Sequence, residues 1–272
     1  MSKLFIPSAG NASESKQAGS GGIVLGRGSR IHGMSYDLSS GHQIAGVQGT
    51  EANAGAVALL TFPSSNHLYQ TNNDGSQSSA WSPKLVGANG LIILANNDVE
   101  LAPLYKNATS ASALQKGCTH FVVGEQAFYM KATLQSDDVT DLTRVFVGFK
   151  KVEAHQADVD DADEAYGVSL KTDDSAAKKI NEFKILNAAA TSETDTSLTL
   201  ADATDISIEI RVSSAGVCTA IVDGTTLDSD THSILGMTFD TGEEVYPAIH
   251  STTGGAGTLE ISVLEFGYLA EK

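Results

Sequence analysis

The chain is 272 residues long, with 41% apolar residues and a formal charge of −16 from 17 Lys and Arg against 33 Asp and Glu. Such a length buries a sizeable core, while such a charge opposes nucleic-acid binding, which depends on Lys and Arg neutralising phosphates. The longest apolar stretches, 54–62 and 91–95, fall far short of the ~20 residues that span a bilayer, so neither nucleic acid nor membrane is an expected partner.

In chain order, residues 1–50 are rich in Gly, Ser, Ala and Asn, with apolar islands only at 4–6 and 23–25. This composition reads as an extended arm, because it offers too little apolar surface to fold by itself. The first seven residues carry one lysine, and 8–20 turn polar at once, without the apolar run of a secretory signal. Assembly in a host cytoplasm is the expectation. Lys3, Lys16, Arg27 and Arg30 stand against Glu14 and Asp37, giving the arm +2 and the remainder −18. The acidic body is expected to stay soluble at high concentration.

Residues 51–272 are taken as a β-sandwich domain, with 51–117 open to being a separate small β unit. That stretch holds two strand-like runs, 56–62 and 91–94, around a polar loop at 64–82. Regular strands follow at 121–123, 127–134, 144–150, 167–170, 180–187, 197–200, 246–250 and 258–269. Between them lies a hairpin over 206–222. Ile206, Ile208, Ile210 and Val212 alternate with Ser207, Glu209, Arg211 and Ser213, and turns are expected at Ser214-Ala215-Gly216 and Asp223-Gly224. Residues 173–179 could form two helical turns, though a polar turn explains them equally well. Short strands with turn residues at both ends and no long helix give an all-β, antiparallel sandwich.

Taken in order, the strand 127–134, Val145-Phe146-Val147-Gly148-Phe149, the hairpin closing on Ile221-Val222-Asp223-Gly224, Val245-Tyr246-Pro247-Ala248-Ile249 and a long last strand resemble the concanavalin A-like jelly-roll group. The resemblance covers roughly 91–269 and implies a jelly-roll sandwich. The overall layout, an arm followed by such a sandwich, also resembles bacteriophage head decoration or knob proteins. Enzymes of the jelly-roll group carry two glutamates flanking an aspartate on one strand. Here Glu260-Ile261-Ser262-Val263-Leu264-Glu265 keeps the spacing but puts Ser262 where the aspartate belongs. The two carboxyls could converge on a sugar bond only if a bulge brought them to one face. No enzymatic activity is expected.

Other candidate sites are weak. Asp158, Asp160, Asp161, Asp163 and Glu164 could gather oxygens for calcium, but an EF-hand needs Gly where Asp163 stands and Glu where Ser169 stands. A solvated loop is the simpler expectation. The run 21–28 imitates a phosphate loop without its Lys and Ser or Thr. His120, His155, His232 and His250 are scattered, and Cys118 and Cys218 are expected as small buried hydrophobes, so no cofactor or metal is expected.

The expected function is a virion structural protein on the capsid surface. Lys3, Lys16, Arg27 and Arg30 would pin the arm to the major capsid protein, and Leu4, Phe5 and Ile6 would fill shallow pockets there. A homo-oligomer, with a trimer favoured, would add avidity. The alternative is a carbohydrate-binding, lectin-like module on a virion or cell surface, stacking sugar rings on Trp81, Tyr69 or Tyr105.

Overall fold

The computed structural model describes residues 120–153, 156, 158–172, 178–253 and 259–269, together with the strands that precede them and the side chains of 100–102. The early strands are β1 (Gly22–Ile23), β2 (Arg30–Asp37), β3 (Ile44–Glu51), β4 (Gly55–Thr61), β5 (His67–Asn72), β6 (Lys84–Leu85), β7 (Ile92–Leu94) and β8 (Asn97–Ala102). Next come β9 (Phe121–Val122), β10 (Phe128–Ser136), β11 (Leu142–Lys151), β12 (Ala165–Thr172), β13 (Lys178–Ile185) and β14 (Ser192–Leu200). The last are β15 (Ile206–Val212), β16 (Cys218–Val222), β17 (Thr225–Thr226), β18 (Glu244–Thr253) and β19 (Leu259–Leu269).

They form two antiparallel sheets packed face to face, a jelly-roll sandwich. A nine-stranded sheet runs β1-β2-β19-β10-β15-β16-β17, with β6 and β7 attached beside β19. A ten-stranded sheet runs β14-β13-β12-β11-β18-β8-β5-β4-β3, with β9 paired to β18. Within the stretch read as an arm, β1, β2 and β3 are therefore strands of these sheets. Arg30, expected to grip a partner, lies in register with Leu269 of β19. An edge backbone with free N–H and C=O groups takes up a pairing strand whatever its side chains, which explains why a Gly-rich, weakly alternating segment is paired. The remaining expected arm contacts, Lys3, Leu4, Phe5, Ile6, Lys16 and Arg27, lie outside the described residues. In the stretch 51–117, β4, β5 and β8 continue the ten-stranded sheet through β18.

Between the sheets the alternation expected at 206–212 holds. Ile206, Ile208, Ile210 and Val212 are buried and face Val145, Val147, Val168 and Ile249 across one continuous core. Each such side chain contributes about 1.5–3 kcal/mol on burial. Aromatic rings join the layers at one end. Phe121 stacks on Phe128 at 4.7 Å, Phe149 meets Phe128 edge-on at 5.0 Å, and Tyr268 meets Phe121 edge-on at 5.1 Å. The Asp223-Gly224 turn forms as expected, both residues at positive φ of 48° and 81°, the geometry of a type I′ return. The helix considered for 173–179 is absent at its C-terminal end, where Lys178 and Lys179 already pair with Thr172 and Lys171.

A long loop between β17 and β18 is fastened by two side chains of β13, of which Lys184 donates to the Gly236 carbonyl at 3.1 Å. Glu182 of β13, fully buried on the core side, accepts hydrogen bonds from the backbone N–H of Leu235 at 2.8 Å and of Gly236 at 2.7 Å. Burial, followed by the charge of Glu182, raises the Tyr166 phenol above its ordinary range, and burial likewise raises the Cys218 thiol. Cys218 is thus the small buried hydrophobe expected; Cys118 lies outside the described residues. Replacing Glu182 with Gln leaves one acceptor facing two donors, so the Glu182→Gln variant should lose about 2 kcal/mol. Amide exchange should speed up at Leu235 and Gly236 while the β15–β16 hairpin keeps its protection; unchanged exchange at those two amides would contradict this anchoring.

Candidate functional site

Alternation along the central strands of the ten-stranded sheet sends Val145, Val147 and Phe149 into the core and Arg144, Phe146, Gly148 and Lys150 to the outer face. Cross-strand register then sets their neighbours. Phe146 lies between Ser169 of β12 and His250 of β18, Lys150 is opposite Tyr246, and His250 is opposite Glu100 of β8. Three adjacent strands thereby converge on the Glu100 carboxylate. The Lys150 ammonium donates to its Oε2 at 2.6 Å, the Tyr246 hydroxyl donates to Oε1 at 3.2 Å, and His250 Nδ1 stands 3.9 Å from Oε2. Lys150 and His250 are only 1% and 2% exposed, which makes this a braced layer rather than a solvated face. Burial, then the adjacent Glu100 charge, holds the Tyr246 phenol well above its usual range, so it acts as a hydrogen-bond donor and not as a base.

Beside this cluster the floor of the face is glycine. Gly148 and Gly167 are directly opposed across β11 and β12, and the Phe146 ring occupies the space their missing side chains leave. Phe183 meets Phe146 edge-on at 5.0 Å, and the Arg144 guanidinium lies 6.0 Å from the Phe183 ring centre. The margin that reaches solvent is ionic. Glu193 of β14 accepts from Lys171 at 2.9 Å and Ser169 at 3.2 Å and lies 3.3 Å from Arg144. Arg144 also binds Asp160 and sits 3.8 Å from Asp158.

These aspartates belong to the acidic run expected as a solvated loop. Its aspartates reach solvent as expected, while Val159, Ala162 and Glu164 turn inward and make the run a strap over the same face. A 3₁₀ turn at Val159–Asp161 is capped by Asp158, and Val159 and Ala162 are buried against Phe146, Phe183 and Ile185. Glu164 at its end is fully buried. Among the described residues no group of three or more His, Cys, Asp or Glu is arranged to hold a metal ion.

The glutamates weighed for hydrolysis lie on the opposite sheet. A bulge at Ser262 shifts the β10–β19 register, so Glu260, Val263 and Glu265 pair with Gln135, Thr133 and Lys131 on one outer face. Both glutamates thus share a face, but their partners are four residues apart on β10. At ~3.3 Å per residue their backbones are about 13 Å apart, whereas a retaining pair needs about 5 Å. His232 caps its own turn, accepting from the Asp228 N–H at 3.3 Å. Trp81 and Tyr105, the aromatics expected to stack sugar rings, lie outside the described residues, as does His155. Tyr69 falls in β5, in register with Ala102 of β8, and so belongs to the ten-stranded sheet. Sequence reasoning did not find Glu100, Lys150, Tyr246 and His250 as a set, because their meeting depends on which strands pair and in which register.

No family model matches the chain, and no curated protein matches it. The carbohydrate recognition domain of Emp47p is similar in structure at 12% identity and a TM-score of 0.47, over 70% of this chain and 87% of that one. The marine PL7 alginate lyase AlyA1 from Zobellia galactanivorans aligns at 10% identity and a TM-score of 0.46, over 85% and 96%. A protein of unknown function from Shewanella oneidensis MR-1 aligns at 14% identity and a TM-score of 0.47, over 99% and 97%. None of the three is described as a virion protein. Likeness this distant leaves ligand and activity to the residues themselves.

Proposed function

We propose that the protein is a carbohydrate-binding sandwich module that recognises its ligand without transforming it, at the outer face of the ten-stranded sheet. The observation that supports this reading is the braced polar layer on β8, β18 and β11. Sugars are bound by donors and acceptors held in fixed positions on rigid elements, since every side chain already ordered saves entropy on binding. Lys150, Tyr246 and Glu100 are ordered in this way, and farther along the same face, beyond Phe146, the solvent-reaching groups Lys171, Glu193 and Arg144 offer both donors and acceptors to hydroxyls. Tyr69, on β5 of the same sheet, keeps its place among the candidate ligand residues.

The test is retention by a panel of immobilised glycans, followed by affinity electrophoresis on any hit. Lys171→Ala and Glu193→Gln alter side chains at the margin and should weaken retention at least tenfold. Glu265→Gln on the opposite sheet should leave it unchanged. Retention that depends on Glu265 and not on Lys171 or Glu193 would move the site to the other face. No retention by any glycan, together with saturable co-sedimentation with capsids that requires residues 1–50, would overturn the reading in favour of capsid decoration.

A further inference from the structure

We propose that the buried carboxyl of Glu164, lodged against the carboxyl of Glu243 and the ammonium of Lys151, is a proton-operated latch that keeps the 158–164 strap on the outer face and releases its Glu164 end in alkaline solution. Three chain segments meet here, because β12 and β18 begin where β11 ends. The Lys151 N–H donates to the Glu164 carbonyl at 2.9 Å, and the Val152 N–H donates to the Glu244 carbonyl at 2.8 Å. Lys151 Nζ lies 2.5 Å from Glu243 Oε1 and 4.0 Å from Glu164 Oε1. One ammonium is therefore shared unequally by two carboxyls, and Glu164, with a side chain 0% exposed, has the lesser share. A buried and a half-buried anion beside one cation are unfavourable, and a proton held between the carboxyls resolves the conflict.

The carboxylates around Glu164 favour this, and Lys151 alone opposes it. Burial, then the hydrogen bond and repulsion from Glu243, then Asp240, push the Glu164 carboxyl up to about 8 against the opposing pull of Lys151. Asp163 precedes it on the strap, with its N–H bonded by the Glu153 carboxylate at 3.1 Å, and Glu244 is exposed. Glu243 in turn holds the Lys151 ammonium above its ordinary range. At the other end of the strap, Arg144 keeps its charge through the whole range, so its grip on Asp158 and Asp160 is unaffected by base.

The direction follows from where the proton resides. The closed strap keeps it on Glu164 up to about pH 8, whereas an opened, solvated Glu164 gives it up near its ordinary 4.5. Opening releases a proton, so it becomes easier as pH rises between those values and levels off above the higher one. Release frees Ala162 from the cluster it forms with Phe146, Phe183 and Ile185, while Val159 stays between the held Asp158 and Asp160.

Hydrogen exchange at the Lys151 and Asp163 amides, corrected for the intrinsic base catalysis of exchange, reads the opening constant. In the native chain it should climb between pH 5 and pH 8, approaching tenfold per unit, while the β15–β16 hairpin shows no such trend. Glu164→Gln is neutral at every pH and should give a flat profile, and Glu243→Gln, by leaving Lys151 to Glu164 alone, should make the climb level off at a lower pH. A flat native profile, or an equal climb in Glu164→Gln, would overturn the proposal. Should that variant not fold, carbon-13 titration of the glutamate carboxyls in the native chain decides. Glu164 titrating near 8 supports the latch, and Glu164 titrating between 4 and 5 removes it.

Discussion

Adding a single methyl group at Gly148 is expected to cost about 3 kcal/mol or more, near the upper end of what one core substitution does. A Cβ there would lie 2.2 Å from the Tyr166 carbonyl oxygen, 2.7 Å from the Gly167 Cα and 2.7 Å from the Phe146 ring. Two of those three contacts are backbone atoms of the paired strand, which cannot swing away as a side-chain tip can. Gly167 stands in the mirror situation, 2.2 Å from the Val147 carbonyl oxygen and 2.7 Å from the Gly148 Cα. Relief would require β11 and β12 to part at the centre of the ten-stranded sheet. Gly148→Ala and Gly167→Ala should each shift urea unfolding to a much lower midpoint, and combining Gly148→Ala with Phe146→Ala should not restore it, because the backbone clash remains. Gly224→Ala supplies the comparison. Nothing lies within 4 Å of its Cβ position, and only its positive φ is strained, so about 1 kcal/mol is expected. Equal losses at Gly148 and Gly224 would show that the ring and the opposed strand yield, and that the close glycine floor is not a constraint.

Residue periodicity made the sandwich legible well before its wiring. Ile206 to Val212 announces a half-buried strand because its apolar residues recur at every second position, and Asp223-Gly224 announces a turn because both residues tolerate positive φ. Neither signal depends on distant partners. β2 carries no comparable pattern: Gly33 and Ser35 dilute its alternation, and what holds it in the sheet is the unpaired backbone of β19. Backbone pairing leaves little trace in side-chain sequence, which is why residues 30–37 read as arm. The strap is a milder case. Asp158 to Glu164 looks solvated because five of its seven residues are acidic, yet Val159 and Ala162, the two that are not, turn inward.

The candidate site was less legible for a related reason. Lys150 and Phe146 could be assigned to the outer face from the alternation of 144–150, but an outward lysine on a strand is ordinarily a solvated one. What makes this lysine different is Glu100, fifty positions earlier, brought next to it by the β8–β18 and β18–β11 pairings. Similarly, the E-x-S-x-x-E spacing foretold a bulge as the condition for shared facing. Ser262 supplies that bulge, and the separation between the partners of Glu260 and Glu265 still leaves the carboxyls too far apart.

Removing the Lys150 ammonium should therefore be among the most damaging single changes at the site. Lys150→Met retains much of the stem's packing but leaves the Glu100 carboxylate buried without its cation, for which about 3–5 kcal/mol of destabilisation is expected. The Tyr246 hydroxyl still donates to Glu100 and offsets only part of that. The double variant Glu100→Gln with Lys150→Met removes both charges and should regain most of the loss, giving a coupling well beyond additivity in a double-mutant cycle. If the two changes simply add, the pair is not an isolated buried bridge and Glu100 has other support. Because the double variant is expected to fold, it also separates two roles of the cluster. Retained glycan binding would make Glu100 and Lys150 a structural brace of the sheet, apart from the ligand surface formed by Lys171, Glu193 and Arg144. Lost binding in a folded double variant would make them part of the surface that the ligand touches.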